Sequence, residues 1–461
     1  MSQLPEQPLS PLDGRYRAAV SELGEHLSEA GLNRARIHVE VEWLLYLTEN
    51  EFFGAHRLDN EQERALRQLV PDFGQADIDE LAELEATTRH DVKAVEYFVR
   101  KRLVDLGLTD VAELTHFACT SEDINNLSYA LTISAAVRDV WLPKMHASIA
   151  ALTERAVAFR DVAMLAHTHG QPATPTTVGK EFAVFVRRLK RIVAQVEETE
   201  YLGKFSGATG TFAAHIAADP SKDWPAISRE FVTSLGLDWN PLTTQIEPHD
   251  WQAELYQRIS HTNRVLHNLC TDIWTYISMN YFTQIPQAGT TGSSTMPHKI
   301  NPIRFENAEA NLELSSALLD SLAATLVTSR MQRDLTDSTT QRNVGVALGH
   351  SVLAIDNILR GLNEIDVNTV RIAEDLDSNW EVLGEAIQTV IRAEVTAGRS
   401  SIADPYAMLK ELTRGRRVTR DELVAFVQAL DIGDEAKARL AIMTPASYIG
   451  LADELVDYAT D

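Results

Sequence analysis

Apolar positions recur along much of the chain at alternating intervals of three and four residues. One unbroken seam of this kind consists of Val178, Phe182, Phe185, Leu189, Ile192 and Val196. Such spacings place side chains on one face of an α-helix, so a long helix is predicted there. His249–Phe282 likewise contains no glycine or proline that would end a helix. Because few runs alternate in the manner of β-strands, the predicted fold class is all-α.

The long-helix pattern is concentrated in the middle of the chain, over residues 111–365. A smaller helical region, residues 1–110, precedes it, and shorter segments broken by glycine and proline follow it over residues 366–461. The sequence therefore predicts three helical domains: an N-terminal one, a central long-helix bundle and a small C-terminal one. Long helices with so much apolar seam often bury it between subunits.

Composition narrows the class of protein. With 461 residues, 44% of them hydrophobic and 23% charged, the chain has the make-up of a globular protein with a large core. No apolar run approaches the roughly eighteen residues of a membrane span, and Met1–Pro11 lacks the apolar stretch of a secretion signal. The two cysteines, Cys119 and Cys270, have no paired spacing, so neither a disulfide framework nor a zinc site is indicated. A cytoplasmic location is expected.

The net charge of −24 changes what partners can be expected. A strongly acidic chain repels nucleic acid and anionic membrane surfaces, so neither is predicted as a partner. The same field repels any anionic small molecule. A site for such a ligand must therefore concentrate arginine and lysine locally.

The densest group of polar candidates lies in Gly289–Asn307. Its first half is rich in glycine, serine and threonine and has no apolar period, which predicts an exposed loop. Asn301 is suited to a helix N-cap and Pro302 to the first helical position, so a helix is predicted to begin there. Its apolar stripe is formed by Leu312, Leu319, Leu322 and Leu326. The predicted loop before this helix contains four polar residues, namely Ser293, Ser294, His298 and Lys299.

The pattern Gly292-Ser293-Ser294-x-Met296-Pro297-x-Lys299-x-Asn301 resembles the signature of the fumarase/aspartase superfamily, whose members eliminate fumarate from succinyl compounds. Within this superfamily, the histidine at position 298 resembles the residue that adenylosuccinate lyases carry at this point of the signature. Fumarases and aspartases usually carry a small residue there, and argininosuccinate lyases usually carry glutamine. The resemblance implies an all-α, fumarase/aspartase-like fold. It also implies a homotetramer built round a central helical bundle, with each active site shared among three chains.

Further segments match the family's substrate-binding positions. Two of them, Thr87–Asp91 and Thr120–Asp123, precede helical patterns, and helix N-termini favour anions. Read in isolation, the segments would be surface turns, helix caps or charged loops. Arg89 stands where some family members carry asparagine or serine. The resemblance implies that substrate is bound by Arg15, Tyr16, Arg89, His90, Asp91, Thr120, Ser121, Gln245, Ser294, Lys299, Asn301, Asn307, Arg333, Ser338, Thr339, Thr340, Gln341 and Arg342.

A second dense cluster, His167-Thr168-His169-Gly170-Gln171, holds two histidines two residues apart. That spacing could suggest a metal site, but no third ligand follows at a familiar distance and HExxH is absent. The resemblance instead implies that His169 is the general acid. It gives His167 no role, and His167 is interpreted as structural.

The resemblance implies a β-elimination of fumarate from a succinylated purine nucleotide. Ser293 would be the general base, Lys299 would stabilise the developing negative charge, and neither a metal nor an organic cofactor is needed. Phosphate-loop and dinucleotide motifs are absent. Two alternatives stay open: another fumarate-releasing lyase, such as an argininosuccinate lyase, and a non-catalytic helical scaffold. A scaffold would be expected to have lost Ser293, His169 or Lys299, and all three are present.

Overall fold

The computed structural model of the chain describes residues 7–286, 296, 299–413 and 417–460. These residues are mainly helical. The α-helices of the first half are α1 Arg17–Leu27, α2 Glu29–Glu49, α3 Asn60–Gln68, α4 Gln75–Thr88, α5 Asp91–Asp105, α6 Ser121–Ala135, α7 Leu142–Ala158, α8 Val178–Glu197, α9 Ala213–Ala218 and α10 Trp224–Ser234. Those of the second half are α11 Asp250–Ser278, α12 Ile303–Leu326, α13 Thr336–Gln341, α14 Val344–Asn363, α15 Thr369–Asp377, α16 Gly384–Thr396, α17 Pro405–Thr413, α18 Arg420–Ala429, α19 Asp434–Ile442 and α20 Asp457–Thr460.

The β-structure of the described residues is confined to small two-stranded sheets. An antiparallel hairpin pairs the first two strands, a parallel bridge the next two, and an antiparallel pair the last two. The strands are β1 Ala163–Thr168, β2 Gln171–Thr177, β3 Leu202–Gly203, β4 Asp238–Trp239, β5 Phe282–Gln284 and β6 Ile365–Val367.

The helices predicted from apolar periodicity are confirmed. Helix α8 begins at Val178, and all six residues of its predicted seam are at least 93% buried. Helix α11 fills most of His249–Phe282, and the leucine stripe of α12 is buried throughout. Burial of such stripes supplies most of the stability of a helix in a folded protein. None of the helices within the described ranges is both long and apolar enough to cross a lipid bilayer.

The start of α12 differs from the prediction by one residue. The helix begins at Ile303, and the carbonyl of Pro302 accepts hydrogen bonds from the amides of Phe305 and Glu306 at 3.1 and 3.2 Å. A carbonyl that accepts the first helical bonds belongs to the capping residue. Pro302 therefore precedes the helix, and its prediction as the first helical residue is wrong.

The chain forms two compact units. The first comprises Met1–Met145, Ile192–Leu266 and Ala310–Asp356, and the second His146–Arg191, His267–Glu309 and Asn357–Asp461. Every boundary between these segments falls inside a long helix, namely α7, α8, α11, α12 or α14. The division into domains at residues 110 and 365 stays a prediction.

In the first unit, α2 packs against α5 and α6. The ring of Trp43 on α2 lies 4.6 Å from that of Phe205 and 4.9 Å from that of Phe231, and all three side chains are almost fully buried. Close aromatic packing of this kind fixes the positions of the helices that contribute to it. It thereby fixes α2, against which α5 and α6 pack, to α10.

In the second unit, the β1–β2 hairpin packs against α15. Gly179, at the start of α8, lies so close to the end of α7 that a Cβ atom there would be 2.3 Å from the carbonyl oxygen of Ala156. Only glycine fits such a close approach of two backbones. The C-terminal helices enclose a separate apolar cluster that includes Trp380, Ile391 and Val427.

Candidate active site

A polar cavity of about 470 Å³ lies within the first unit. Its volume is typical of a small-molecule site. Eight of the predicted substrate-binding residues line it: Arg89, His90, Asp91, Ser121, Arg333, Ser338, Thr339 and Arg342. The remaining lining residues are Arg36, Glu85, Asn125, Tyr129 and Leu335.

Two helices begin at the cavity wall. His90 caps α5, and its Nδ1 atom accepts a hydrogen bond from the amide of Lys93 at 3.3 Å. That bond leaves Nε2 to face the hydroxyl of Ser121, the first residue of α6, at 3.4 Å. Helix N-termini present free amides and a positive dipole end, so both starts favour an anionic ligand.

The carboxylate of Asp91 lies between two arginines. Its Oδ2 atom accepts from Nη2 of Arg36 at 2.8 Å and from Nη2 of Arg342 at 3.1 Å. Burial alone would raise the pKa of this carboxyl, but the two guanidinium groups and the Val92 amide hold it below its usual value. Asp91 is therefore ionised at neutral pH, and it spreads one negative charge over two cations.

Arg36 is the most enclosed of the cavity's arginines, with 2% of its side chain exposed. Besides Asp91, it donates Nε to the side chain of Asn125 at 2.9 Å and Nη1 to that of Asn33 at 2.8 Å. A guanidinium held by three acceptors in a fork is fixed in orientation as well as in charge. The guanidinium group of Arg36 is thus held in one position against the carboxylate of Asp91.

Arg333 brings together residues that are far apart in the sequence. Its Nη1 donates to the amide oxygen of Gln245 at 3.1 Å, and its Nη2 lies 3.2 Å from the hydroxyl of Ser338. The same Nη2 pairs at 3.0 Å with Glu122, a carboxylate that is 97% buried. Burial raises the pKa of Glu122, while Arg333 and Asn125 counteract the rise. Gln245, Arg333 and Ser338 therefore form one connected group.

Other predicted residues of the first unit do not line the cavity. The amide of Thr120 donates to Asp123 at 2.8 Å in the cap of α6. Gln341 is 97% buried and donates towards Nδ1 of His249 at 3.2 Å, and the Thr340 hydroxyl donates to a carbonyl of its own helix. Arg15 is exposed beside Tyr16, with 5.9 Å between its guanidinium carbon and the ring centroid.

The remaining described candidates belong to the second unit. His169 and Gly170 form the two-residue turn between β1 and β2, with φ of 54° and 70°. Two central residues with positive φ are the requirement of a type I′ turn, and this turn leaves the His169 ring exposed to solvent. Lys299 is also exposed, whereas Asn301 and Asn307 are partly buried at and within the start of α12. Ser293, Ser294 and His298 lie outside the described residues.

Sequence reasoning missed several residues of the site, above all Arg36, which lines the cavity, and the buried Glu122, which pairs with Arg333. Arg36 gave no decisive signal, because α2 also carries Arg34, Glu40 and Glu42 and the pattern does not show which of these charges is buried. Glu122 stands in the predicted cap sequence and was interpreted there only as a capping residue. No three His, Cys, Asp or Glu side chains among the described residues are grouped so as to hold a metal ion.

Comparison with known proteins identifies the family to which the chain is similar. A family model described as "Lyase" matches residues 14–314, and one described as "Adenylosuccinate lyase C-terminal" matches residues 329–449. The adenylosuccinate lyase of Escherichia coli (strain K12) is 48% identical over 97% of this chain and 98% of its own. That of Haemophilus influenzae is also 48% identical with the same coverage, and that of Vibrio cholerae is 46% identical.

Solved structures support the same fold. A fumarate lyase from Mesorhizobium sp. BNC1 superposes with a TM-score of 0.74 at 18% identity, over 95% of this chain and 97% of that one. A 3-carboxy-cis,cis-muconate lactonizing enzyme from Pseudomonas putida gives 0.75 at 19% identity, over 96% and 97%. At such low identity the likeness concerns the fold alone, and it confirms the all-α, fumarase/aspartase-like class.

The helical fold, the cationic cavity and the first family model define a lyase of the fumarase/aspartase type. Within that class, the chain belongs to the adenylosuccinate lyase family, as the second model and nearly full-length identity of 48% show.

Proposed function

We propose that the cavity of the first unit is the nucleotide-binding part of an adenylosuccinate lyase active site. The chain eliminates fumarate from adenylosuccinate, giving AMP, and from the succinylaminoimidazole carboxamide ribotide SAICAR, giving AICAR. The observation that carries the assignment of the cavity is the convergence of four guanidinium groups in a chain whose net charge is −24. These belong to Arg36, Arg89, Arg333 and Arg342.

The charges of the cavity suit this substrate. Adenylosuccinate carries a phosphate and two carboxylates, which the overall acidic field repels. In the cavity, two carboxylates, Glu85 and Asp91, face four arginines. Two further carboxylates that are not among the lining residues, Glu122 and Glu29, pair with Arg333 and Arg342, so an anionic substrate would bind by taking these guanidinium groups from their present partners. Arginine binds phosphate and carboxylate through paired N–H donors, which supports a role in holding and orienting the substrate.

The elimination needs two proton transfers. The general base removes a proton from the carbon next to a carboxylate, the bond from carbon to nitrogen breaks, and the general acid protonates the departing nitrogen. Ser293 is assigned as the base and His169 as the acid, with Ser294 binding substrate. Lys299 is assigned to the carboxylate on which negative charge accumulates, because fixed cations at that position contribute most to such catalysis.

The turn that carries His169 supports its assignment. An exposed imidazole at the tip of a two-residue hairpin is accessible to a ligand, while the ladder of β1 and β2 fixes its backbone. Histidine also titrates near neutral pH, as a general acid in this reaction requires.

Replacing His169 by asparagine tests the role of the acid. Asparagine is favoured in type I′ turns, so the hairpin should keep its conformation while the acid is lost. We expect kcat to fall by about 10²–10⁴, the usual contribution of a general acid, with unchanged thermal stability. His167→Asn, two residues away on the same hairpin, is the matched control and should keep near-normal kcat. Near-normal turnover of His169→Asn would remove His169 from the mechanism.

The assembled enzyme is proposed to be a cytoplasmic homotetramer whose active sites combine residues of several chains. The superfamily resemblance supports the tetramer and the shared sites. The sparse, unpaired cysteines support the cytoplasm.

The decisive assay follows ultraviolet absorbance and fumarate release with adenylosuccinate, with argininosuccinate tested in parallel. We expect loss of the succinylated chromophore with adenylosuccinate and no fumarate from argininosuccinate. The reverse result would keep the fold and the elimination chemistry but overturn the assignment of the cavity. No change in absorbance and no fumarate release with either substrate would favour a non-catalytic scaffold.

A further inference from the structure

The five residues before the predicted substrate-binding pair Thr120 and Ser121 have an unusual backbone. Within this turn, Thr115–Cys119, His116 has φ of 58° and Ala118 has φ of 56°. Residues other than glycine rarely adopt this left-handed region, and alanine has no polar side chain to compensate. Such conformations persist only where surrounding contacts impose them, and they cluster at functional sites.

Glu40 supplies the contact that imposes the conformation of His116. One carboxylate oxygen, Oε2, accepts the backbone amide of His116 at 3.0 Å, and the other, Oε1, lies 2.6 Å from Nδ1 of the same residue. The side chain of Glu40 is completely buried, and that of His116 is 17% exposed. A single carboxylate thus holds both the backbone and the ring of one strained residue.

The rest of the turn is held from the same helix and passes directly into α6. Nε1 of Trp43, one turn after Glu40 on α2, donates to the carbonyl of Phe117 at 3.0 Å. At the other end, Asp123 accepts the amide of Thr120 and also pairs at 2.8 Å with the fully buried Lys204. With both ends fixed, the backbone of the turn determines where Thr120 and Ser121 lie.

We propose that Glu40 and His116 are positioning residues for substrate binding: the buried pair clamps the strained Thr115–Cys119 turn and so sets the start of α6, where Ser121 lines the cavity. The pair does not touch substrate. This inference rests on the proposed function, because it assigns the turn to the site that binds the nucleotide.

The charged surroundings of His116 favour its protonated form. Burial would lower its pKa, but the hydrogen bond to Glu40 and the charge of Glu40 raise it above the ordinary value. Glu96 on α5 and Asp123 on α6 also face it; Glu96 is paired with Lys93 at 2.7 Å and lies 3.8 Å from Arg100, and Asp123 is paired with Lys204. The contact with Glu40 therefore favours an ion pair between the two side chains.

Glu40→Gln tests the clamp with little change of shape, because glutamine keeps one acceptor for the His116 amide but removes the charge. His116→Asn is the second variant, since asparagine tolerates positive φ while lacking the imidazole. Glu394→Gln is the matched control: Glu394 is 96% buried and likewise accepts one backbone amide, that of Gly433, and one cationic side chain, that of Arg399. The measurements are KM and kcat with adenylosuccinate from about pH 6 to about pH 9, and AMP affinity by calorimetry.

We expect Glu40→Gln and His116→Asn to raise KM and the AMP dissociation constant roughly tenfold, the scale of a small misplacement of binding groups. The wild-type KM should rise at alkaline pH as His116 loses its proton, and this rise should be absent from both variants. Glu394→Gln should leave KM at the wild-type value at every pH.

Wild-type KM and AMP affinity in folded Glu40→Gln and His116→Asn would overturn the proposal. Equal changes in all three variants would do the same, because they would reflect general loss of stability. The wild-type enzyme, assayed first, separates this failure from failure of the proposed function: without fumarate release from adenylosuccinate by the wild type, the function itself is wrong.

Discussion

Arg36 and Glu40 lie one turn apart on α2, and both carry a charge into a helix that is buried on most sides. Each meets a partner distant in the sequence, Asp91 for Arg36 and His116 for Glu40. Removing ions from water is unfavourable unless each finds a partner and hydrogen bonds. Both residues satisfy this condition, so α2 is joined by charged contacts to Asp91 at the start of α5 and to His116 in the turn before α6.

Arg36→Met should destabilise the protein and weaken substrate binding. Methionine has a similar length but removes the guanidinium donor of Asn125 and Asn33 and one of the two guanidinium donors of Asp91, a loss of about 3 kcal/mol for a buried charged network. We expect a lower calorimetric melting temperature at fixed protein concentration and a higher KM. The comparison is Arg34→Met on the same helix, whose partner Glu25 is 72% exposed, so its loss should be below about 1 kcal/mol. Equal losses would contradict this ranking.

The His116–Glu40 pair should make stability depend on pH. Because the folded-state pKa of His116 is raised, its contribution is fully present below the ordinary value of about 6.5. It is lost as the pH rises through the higher folded-state pKa. The difference in melting temperature between the wild type and His116→Asn should therefore shrink between about pH 6 and about pH 9. A difference that stays constant would show that folding does not raise the pKa of His116.

For single residues, the sequence predicted those that belong to motifs and missed those outside the motifs that hold the motif residues in position. His90, Ser121 and Arg333 stand in recognisable strings, and the structure places all three at one cavity. Glu40 has no such string, because its role depends on His116, 76 residues later. Pairings over such distances are set by tertiary packing, which local patterns do not encode.

Among the elements, the long helices were predictable and the hairpin was not. The seam of α8 is strictly periodic, so its burial follows from the sequence alone. β1 and β2 instead contain Pro172, Pro175 and several polar residues, and the ladder shifts register between Leu165 and His167. Neither strand shows a clear alternation of apolar and polar residues, and proline normally argues against a strand.

Gly170→Ala should separate the geometry of the hairpin turn from its general stability. Gly170 has φ of 70° and open space where a Cβ would lie, so alanine would add backbone strain of about 1 kcal/mol without a clash. We expect a small fall in melting temperature and a larger fall in kcat, because the strain shifts the His169 ring.

Gly236→Ala provides the control for that experiment. Gly236 has φ of 79° and equally open space, but it follows α10 and is not part of the hairpin. Its replacement should lower the melting temperature as much as Gly170→Ala does and leave kcat unchanged. If Gly170→Ala and Gly236→Ala had the same kcat, the proposed role of the hairpin turn in placing His169 would be refuted.

At the scale of the whole molecule, the acidic net charge and the cationic cavity have to be considered together. A charge of −24 favours solubility and separation between molecules but opposes the approach of an anion. Composition therefore predicted that cations must gather somewhere, and three of the residues that the motifs named, Arg89, Arg333 and Arg342, line the cavity, whereas Arg15 and Lys299 do not. Composition could not indicate that Arg36 is a fourth.

The proposed tetramer with shared sites makes a prediction about mixed chains. Light scattering should give four times the chain mass of 51.2 kDa. If Ser293 and His169 reach one site from different chains, refolding a mixture of Ser293→Ala and His169→Asn chains should restore activity that neither variant has alone. Mixed tetramers without any recovered activity would place both residues of a site on one chain.

Arg342 is engaged before any nucleotide arrives, because it pairs with Glu29 as well as with Asp91. In the proposed site, an incoming phosphate must take this cation from a carboxylate that already neutralises it. Nucleotide binding is then an exchange of one ion pair for another, and the net gain is only the difference between them. If the phosphate binds there, Glu29 and Asp91 compete with it for Arg342, which would favour release of AMP over tight retention of product.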